Sequence, residues 1–308
     1  MGVRFAIATL ALLAPIVASA DPFDFEIAAP DEPMRGAVIT LDWVHEVASR
    51  DQHVSLVGGG AVPATRRDGK LIFVVPHIDA GQRIAGRVVP LPYPDDFERI
   101  TVESGEGTFS ATVRAGDELL TRYWHKPEER KPYLWPLNTV GEVGVTRDWP
   151  MGERVKTIDH EHHQSVWTAY GHVNGADYWE YNERTGWQVS ESVGWGSEDA
   201  LGWIAADNVW VDANREPVVW ESREYRFYAG DPERRMGDVD VTLPAEYGPV
   251  HFADTKEGGL LALRMHDELR ERDLYIADLT ARLEGASDQR LRLQRELSFV
   301  RNRAHETE

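Results

Sequence analysis

Histidines are crowded into one short segment, DHEHHQSVWTAYGHVNGADYW, which occupies positions 159–179. The segment holds four histidines, two aspartates, one glutamate and several large aromatic residues. Imidazoles beside carboxylates can bind a metal ion or transfer protons, and aromatic rings can bind the apolar faces of sugars. Three interpretations follow: a metal site, a sugar-processing cleft, or a core that tolerates histidine.

The spacing of the first histidines suits a metal ion if this part of the chain is a strand. Side chains alternate between the two faces of a strand, so His160 and His162 would project together while His163 faces away. Such imidazole pairs bind divalent transition metals, with a carboxylate and water completing the coordination. The carboxylate could come from Asp159, from Glu161 or from the loop at positions 254–259, and His172 could supply a third nitrogen. The pattern therefore predicts a divalent metal held by His160, His162 and Asp159.

Tryptophans concentrated in the middle of the chain give a second signal. The chain has 11 tryptophans, and ten of them lie between positions 124 and 220. Indoles contact the apolar faces of sugar rings, while neighbouring polar groups bind the hydroxyls. We predict Trp167 and Trp179 as sugar-binding aromatics, with Asn174 and Arg147 as polar partners. The alternative is that most of these rings fill a wide core between sheets.

A second acid–base element is the segment DTKEGG at positions 254–259. Asp254 or Glu257 could be a general base if a neighbouring cation and partial burial adjust its pKa, and Lys256 is a candidate to bind substrate. The alternative is a surface turn with an internal salt bridge. The candidate catalytic residues are thus His160, His162, His172, Asp254 and Glu257.

The composition restricts the location and the partners of the protein. Positions 1–20 combine a basic start, an apolar run and small residues in A-x-A form, which predicts a cleaved signal peptide and a periplasmic or secreted protein. No later stretch has the apolar length of a membrane span. The net charge of −19 argues against nucleic acid and anionic lipid as partners and favours neutral or cationic ligands. The expected partner is a small molecule or a carbohydrate. Without any cysteine, stability must come from burial.

Several familiar catalytic motifs are missing from the sequence. It contains no phosphate-binding glycine loop, no G-x-S-x-G elbow, no cysteine nucleophile and no H-E-x-x-H pair. Dinucleotide chemistry, cysteine proteolysis and zincin proteolysis are therefore poor interpretations.

Short alternating segments between turn residues predict an all-β fold. We expect an N-terminal β-module over residues 21–95 and an antiparallel β-sandwich body over residues 96–265, joined at the proline-rich LPYPDD of positions 91–96. Predicted strands span 37–41, 54–57, 71–75, 84–89, 108–115, 187–193, 209–211 and 223–228.

The last segment, residues 266–308, has a different pattern. Apolar residues recur there at heptad positions, although Gly285, Arg272 and Arg290 interrupt the series. The pattern predicts a C-terminal helix. Such a helix could lie on the body, or it could pair with a second copy and make a homo-oligomer.

Long motifs in the middle of the chain resemble a family of exported bacterial proteins called PmoA-like, or methane oxygenase PmoA. The matching pieces are RYWHKPEERKPYLWPLNT, GVTRDWP, the histidine segment, WVDANREPVVWESREYRF and GPVHFADTKEGGLLALRM, and the resemblance covers about residues 36–265. The family's usual D-H-P-H-H-R-G-[IV]-W becomes DHEHHQSVW here, with Glu161, Gln164 and Ser165 at the changed positions. The family also continues into further strands where this chain has its heptad tail.

The resemblance and the residues together leave three functions open. The first is a carbohydrate-active protein, by analogy with the sandwich fold of galactose-mutarotase type, in which histidine and a carboxylate act as acid and base on a sugar. The second is the metal-dependent oxygenase that the family label implies. The third is a non-enzymatic binding or scaffold protein.

Overall fold

The protein is described by a computed structural model that covers residues 23–29, 31–43, 51–89, 97–105, 107–151, 159–231, 233–257 and 259–267. These residues form 16 β-strands in three sheets, and every strand pairing is antiparallel. The prediction of an all-β fold is confirmed.

The N-terminal sheet contains six strands in the order β1-β6-β3-β4-β5-β2. The strands are β1 (Phe23–Ala28), β2 (Met34–Asp42), β3 (Asp51–Leu56), β4 (Ala61–Arg67), β5 (Lys70–Ile78) and β6 (Arg83–Val89). All six contribute buried apolar side chains to one core. The rings of Phe25 in β1 and Phe73 in β5 lie 5.5 Å apart although three strands separate them in the sheet order. The sheet therefore curls around its own core.

The remaining two sheets form a unit that we call the two-sheet body. Its first sheet has the order β16-β11-β10-β9-β8-β7, and its second sheet has the order β12-β13-β14-β15. The first sheet consists of β7 (Ile100–Ser104), β8 (Ser110–Ala115), β9 (Glu118–Trp124), β10 (Tyr133–Leu137), β11 (Val166–Thr168) and β16 (Leu261–Leu263). The second consists of β12 (Trp187–Ser197), β13 (Leu201–Val211), β14 (Pro217–Tyr228) and β15 (Met236–Thr242).

Side chains from both sheets of the body share one apolar core. Val113 and Tyr123 of the first sheet are fully buried in the same cluster as Ile204 and Tyr225 of the second. The two tyrosine rings have their centroids 5.6 Å apart. The two sheets therefore face each other. Alternation of buried and exposed residues along β14 accounts for this, because every second side chain of a strand points to the same face.

A smaller apolar cluster joins the N-terminal sheet to the body. Ile72 and Val74 of β5 are buried against Leu201 and Tyr228. In addition, the side chain of Arg67 donates a 2.6 Å hydrogen bond to Glu224. These contacts place the N-terminal sheet against the second sheet of the body.

Several predictions lie outside the described residues: the signal peptide of positions 1–20, the joint at 91–96, and the helix and its oligomer contact, whose segment is described only at 266–267. In the described part of the chain, no helix is long and apolar enough to span a membrane.

Candidate functional site

The histidine segment begins with a turn, and not with a strand. His160 has a φ of +48° and Ser165 a φ of +60°, both in the left-handed region. The backbone N–H of His163 donates a 2.9 Å hydrogen bond to the carbonyl oxygen of His160. The predicted strand alternation is therefore wrong here. Its consequence, that His163 faces away from His160 and His162, is also wrong.

The turn brings three imidazole rings together. One ring nitrogen from each of His160, His162 and His163 lies within 4.8 Å of the others. The rings of His160 and His163 are stacked at 4.7 Å, and the ring of His162 meets that of His163 edge-on at 4.4 Å. We call these three residues the histidine cluster. Because His160 is exposed and the other two are partly buried, the cluster lies at the surface.

Two arginines hold the turn through Asp159. The Oδ1 atom of Asp159 accepts hydrogen bonds from Arg147 at 2.6 Å and from Arg264 at 2.9 Å. Arg147, which is 1% exposed, also donates to the carbonyl oxygen of His160 at 3.1 Å. Burial raises the pKa of Asp159, but the Arg147 hydrogen bond and the Arg264 charge outweigh it, so the net pKa is lowered. Asp159 and Arg147 thus position the turn, whereas the sequence predicted a metal ligand and a sugar-binding residue.

Aromatic rings support the histidine cluster from below and from one side. The ring of Trp167 stacks on that of His163 at 5.0 Å, and the ring of Trp179 meets His163 edge-on at 6.0 Å. Both indoles are buried, with 2% and 8% exposure, so they form a covered floor and not the open platform that the sequence predicted. Tyr181 is the accessible ring, because it is 39% exposed and its centroid lies 6.1 Å from that of His162.

A buried cation lies under the same rings. The Nζ atom of Lys131 is 5.8 Å from the centre of the Trp167 ring and 5.4 Å from that of Tyr181, and it donates to the carbonyl oxygen of Trp179 at 3.2 Å. Burial lowers the pKa of Lys131 to about 7, although the charge of Asp177 acts in the opposite direction. Sequence reasoning missed Lys131, because nothing in KPEERKPY marks one lysine as buried.

The environment keeps two histidines of the cluster neutral near pH 7. Burial and the nearby charge of Lys131 lower the pKa of His162 to about 4. Burial and the neighbouring His162 lower the pKa of His163 to about 3. An unperturbed histidine titrates near 6.5. The ring nitrogens of both residues are therefore available as lone-pair donors at neutral pH.

The DTKEGG loop reaches the site through Glu180. Lys256 forms a 2.5 Å ion pair with Glu180 and a 3.7 Å ion pair with Glu257. The Lys256 hydrogen bond lowers the pKa of Glu180. Glu257 also hydrogen-bonds to Thr255. Asp254 is exposed. Of the predicted loop residues, Lys256 is therefore the one that contacts Glu180, the residue before Tyr181 in the chain.

The other predicted site residues lie apart from the histidine cluster. His172 is partly buried, and among the described residues the group that could hold a metal does not include it. The side chain of Asn174 donates to the carbonyl oxygen of Pro249 at 3.0 Å and accepts from the backbone N–H of His251 at 2.7 Å. Asn174 therefore ties two loops together.

Behind the cluster, Glu129 collects three hydrogen bonds. It accepts from Gln164 at 2.6 Å, from Tyr133 at 3.0 Å and from Trp149 at 3.3 Å. Gln164 directly follows His163 and is 1% exposed. The carboxylate of Glu129 is thereby committed to fixing the end of the histidine turn.

Fold and site together define an all-β protein with a surface cluster of three histidines on a turn that two arginines hold in place. The family model that matches this chain is described as a family of unknown function, DUF6807, and it covers residues 110–294. The chain belongs to this family. The match takes in the histidine cluster and every strand of the two-sheet body except β7, and it extends past residue 265. No curated protein and no solved structure matches the sequence.

Proposed function

We propose that the protein is a metal-dependent enzyme that activates water at the histidine cluster and acts on a carbohydrate. The observation that carries the proposal is the approach of three imidazole nitrogens to within 4.8 Å of one another. Imidazole nitrogens are strong donors for zinc, copper, nickel or iron. In the proposed site His163 is the third metal ligand, in place of Asp159, which the sequence analysis predicted.

His160, His162 and His163 could together hold one ion if their side chains rotated slightly. Zinc–nitrogen bonds of about 2.0–2.1 Å place two imidazole nitrogens about 3.3 Å apart. The ring nitrogens of the cluster, which lie within 4.8 Å of one another, would therefore have to approach by up to about 1.5 Å. His160 is half exposed and can rotate, while the floor of Trp167 and Trp179 fixes the ring of His163.

The donor set favours water activation over oxygen activation. Three histidines with an open fourth position are typical of catalytic zinc, which lowers the pKa of bound water to about 7. Non-haem iron oxygenases instead use two histidines and one carboxylate. Asp159 does not suit that role, because its Oδ1 atom already accepts hydrogen bonds from two arginines. The oxygenase implied by the PmoA-like resemblance is thus the weaker alternative.

The carbohydrate part of the proposal is supported by the groups beside the cluster. Tyr181 offers an accessible ring next to His162, and the Glu180–Lys256 pair supplies both a hydrogen-bond acceptor and a donor for hydroxyls. Two facing antiparallel sheets support a β-sandwich, and we extend this to the galactose-mutarotase type by analogy. The predicted signal peptide makes the proposed location periplasmic or secreted.

Metal binding is tested with matched histidine variants. Full-length protein, stripped with a chelator and dialysed, is titrated with zinc by calorimetry, and metal content is measured after loading. We expect one ion per chain, and His163→Ala should weaken binding by more than about 100-fold, since even loss of an outer partner costs 10–100-fold. His172→Ala, which lies outside the cluster, should bind as the unchanged protein does.

Two outcomes would contradict the metal proposal. One is no zinc, copper, nickel or iron bound by the unchanged protein; the other is equal uptake by the unchanged protein and His163→Ala. The catalytic part requires release of product from a panel of oligosaccharides that stops on chelation and returns with metal. Tight metal binding without any turnover would instead favour the scaffold alternative.

A further inference from the structure

A row of rings and cations leads away from the histidine cluster. The Cζ atom of Arg130 lies 5.9 Å from the centre of the Tyr181 ring and 4.1 Å from that of Trp187. Arg215 lies against the same indole, with its Cζ atom 3.8 Å from the ring centre. Because Tyr181 also contacts His162, Arg130 is one ring away from the cluster.

These two guanidinium groups stand out in an acidic protein. The chain has a net charge of −19, and other arginines of the body, such as Arg147, Arg226 and Arg235, form ion pairs with carboxylates. Over the described part of the chain, no carboxylate lies within ion-pair distance of Arg130 or Arg215. Two like charges on one indole repel each other, and an anion that binds between or beside them would relieve that repulsion.

We infer that Arg130 binds the carboxylate of an acidic saccharide whose neighbouring sugar ring lies on Tyr181 and reaches the histidine cluster. The inference rests on the proposed function, because it names the substrate class of that same site. A guanidinium presents a planar fork that matches a carboxylate with two parallel hydrogen bonds. Because the guanidinium of Arg130 lies against the Trp187 ring, its orientation is restricted before a ligand binds. The side chain therefore loses less conformational entropy on binding.

The carboxylates near Arg130 do not neutralise its charge. Glu129 precedes Arg130, but its oxygens already accept hydrogen bonds from Tyr133, Trp149 and Gln164. Glu180 is paired with Lys256. Within the described residues, Tyr181 therefore has next to it a guanidinium with no carboxylate partner, Arg130, and a residue whose charge is already paired, Glu180. A ligand with one acidic end and one neutral end complements this pattern.

The experiment compares three matched ligands on the full-length protein. Calorimetry at low ionic strength measures affinity for an oligosaccharide of hexuronic acid units, for its carboxyl-reduced counterpart and for a sulfated counterpart. We expect the carboxylated ligand to bind at least about tenfold more tightly than the reduced one. Arg130→Gln should abolish this difference. Arg215→Gln is the control, since Arg215 contacts Trp187 but not Tyr181, and it should keep most of the preference.

Equal affinity for carboxylated and reduced ligands would overturn the inference, as would a preference that survives in Arg130→Gln. Stronger binding of the sulfated ligand would overturn the carboxylate assignment. Arg130→Lys keeps the charge without the fork, and an intermediate preference there supports the inference even if the glutamine variant folds poorly. Zinc titration of the same samples separates the two ideas. Metal binding without acid preference refutes only this inference, and acid preference without metal refutes only the metal centre.

Discussion

The N-terminal sheet and the two-sheet body are both built from antiparallel strands, but they fill their interiors differently. Among the described residues of the N-terminal sheet, the buried polar side chains are Gln52 and Thr65. The body buries charged groups as well, including Arg147, Glu221 and Arg223. Burial of charge is costly unless the groups are paired and hydrogen-bonded. The difference indicates that the N-terminal sheet serves packing, whereas the body keeps groups that stability alone does not require.

The largest expected effect is at the buried ion pair of the body. Glu221 accepts hydrogen bonds from Arg223 and Trp210, and both members of the ion pair are fully buried. Glu221→Leu should lower the free energy of unfolding by about 3–5 kcal/mol, because it leaves a buried guanidinium without its partner. Urea denaturation followed by tryptophan fluorescence measures the change.

The double variant Glu221→Leu with Arg223→Met is the control for this prediction. Two apolar residues of similar volume remove both charges, so most of the lost stability should return. If the double variant is as unstable as the single one, the pair contributes to the fold in its own right. The buried charges of the body would then serve stability, and the two regions would differ only in how their interiors are packed.

A smaller effect is expected at the anchor of the histidine turn. Asp159→Asn keeps the shape of the side chain but removes the charge opposite the buried Arg147. We expect a loss of about 1–2 kcal/mol in unfolding free energy, together with zinc affinity about tenfold weaker. Asp254→Asn, at an exposed position, should change neither quantity. Unaltered zinc affinity in Asp159→Asn would show that the turn holds its shape without the arginines.

A conservative change in the N-terminal core tests the other half of the comparison. Ile39 is 1% exposed within the apolar core of that sheet. Ile39→Val should cost about 0.5–1.5 kcal/mol, because one buried methylene is lost. Zinc and saccharide affinities should stay the same. A change in either affinity would contradict the division into a packing region and a functional region.

The smallest expected effect concerns pH. Burial lowers the pKa of His125, whose ring stacks on that of Tyr123 at 5.8 Å. A lowered folded-state pKa means that the unfolded chain binds the proton more readily, so this contribution to stability is full above about pH 6.5 and declines below it. His125→Phe should therefore lose less stability on going from pH 7.5 to pH 5.5 than the unchanged protein. Parallel pH profiles of thermal unfolding would refute this.

Much of the fold was predictable from local patterns. The alternation of apolar residues predicted β2, β5, β6 and β8 at nearly their observed positions, whereas it predicted only the second half of β14. It missed β4, where Pro63 interrupts the pattern, because proline is unfavourable within a strand unless its position lacks a ladder hydrogen bond. Periodicity reports which face of an element is buried, and it carries no information on residues whose conformation is fixed by distant partners.

The histidine turn is such a case. Its composition identified His160 and His162 as site residues, but the conformation of His160 depends on Arg147 and on the turn hydrogen bond from His163. Non-glycine residues adopt positive φ only when surrounding structure compensates the strain. The burial of Lys131 depends likewise on aromatic residues far away in the sequence. The composition therefore located the site, while its geometry required the tertiary structure.

The short strand β16 determines when the site can exist during synthesis. It pairs with β11, and the next residue, Arg264, is bound through its backbone to Ser165 and Arg147 and through its side chain to Asp159. A ribosome that adds about 5–20 residues per second makes Arg264 roughly 5–20 s after the histidine turn. Throughout that interval the turn lacks one of its two arginine anchors. The histidine turn therefore gains its second arginine anchor only after this late strand has emerged, so the proposed metal ion would be bound after translation of the body.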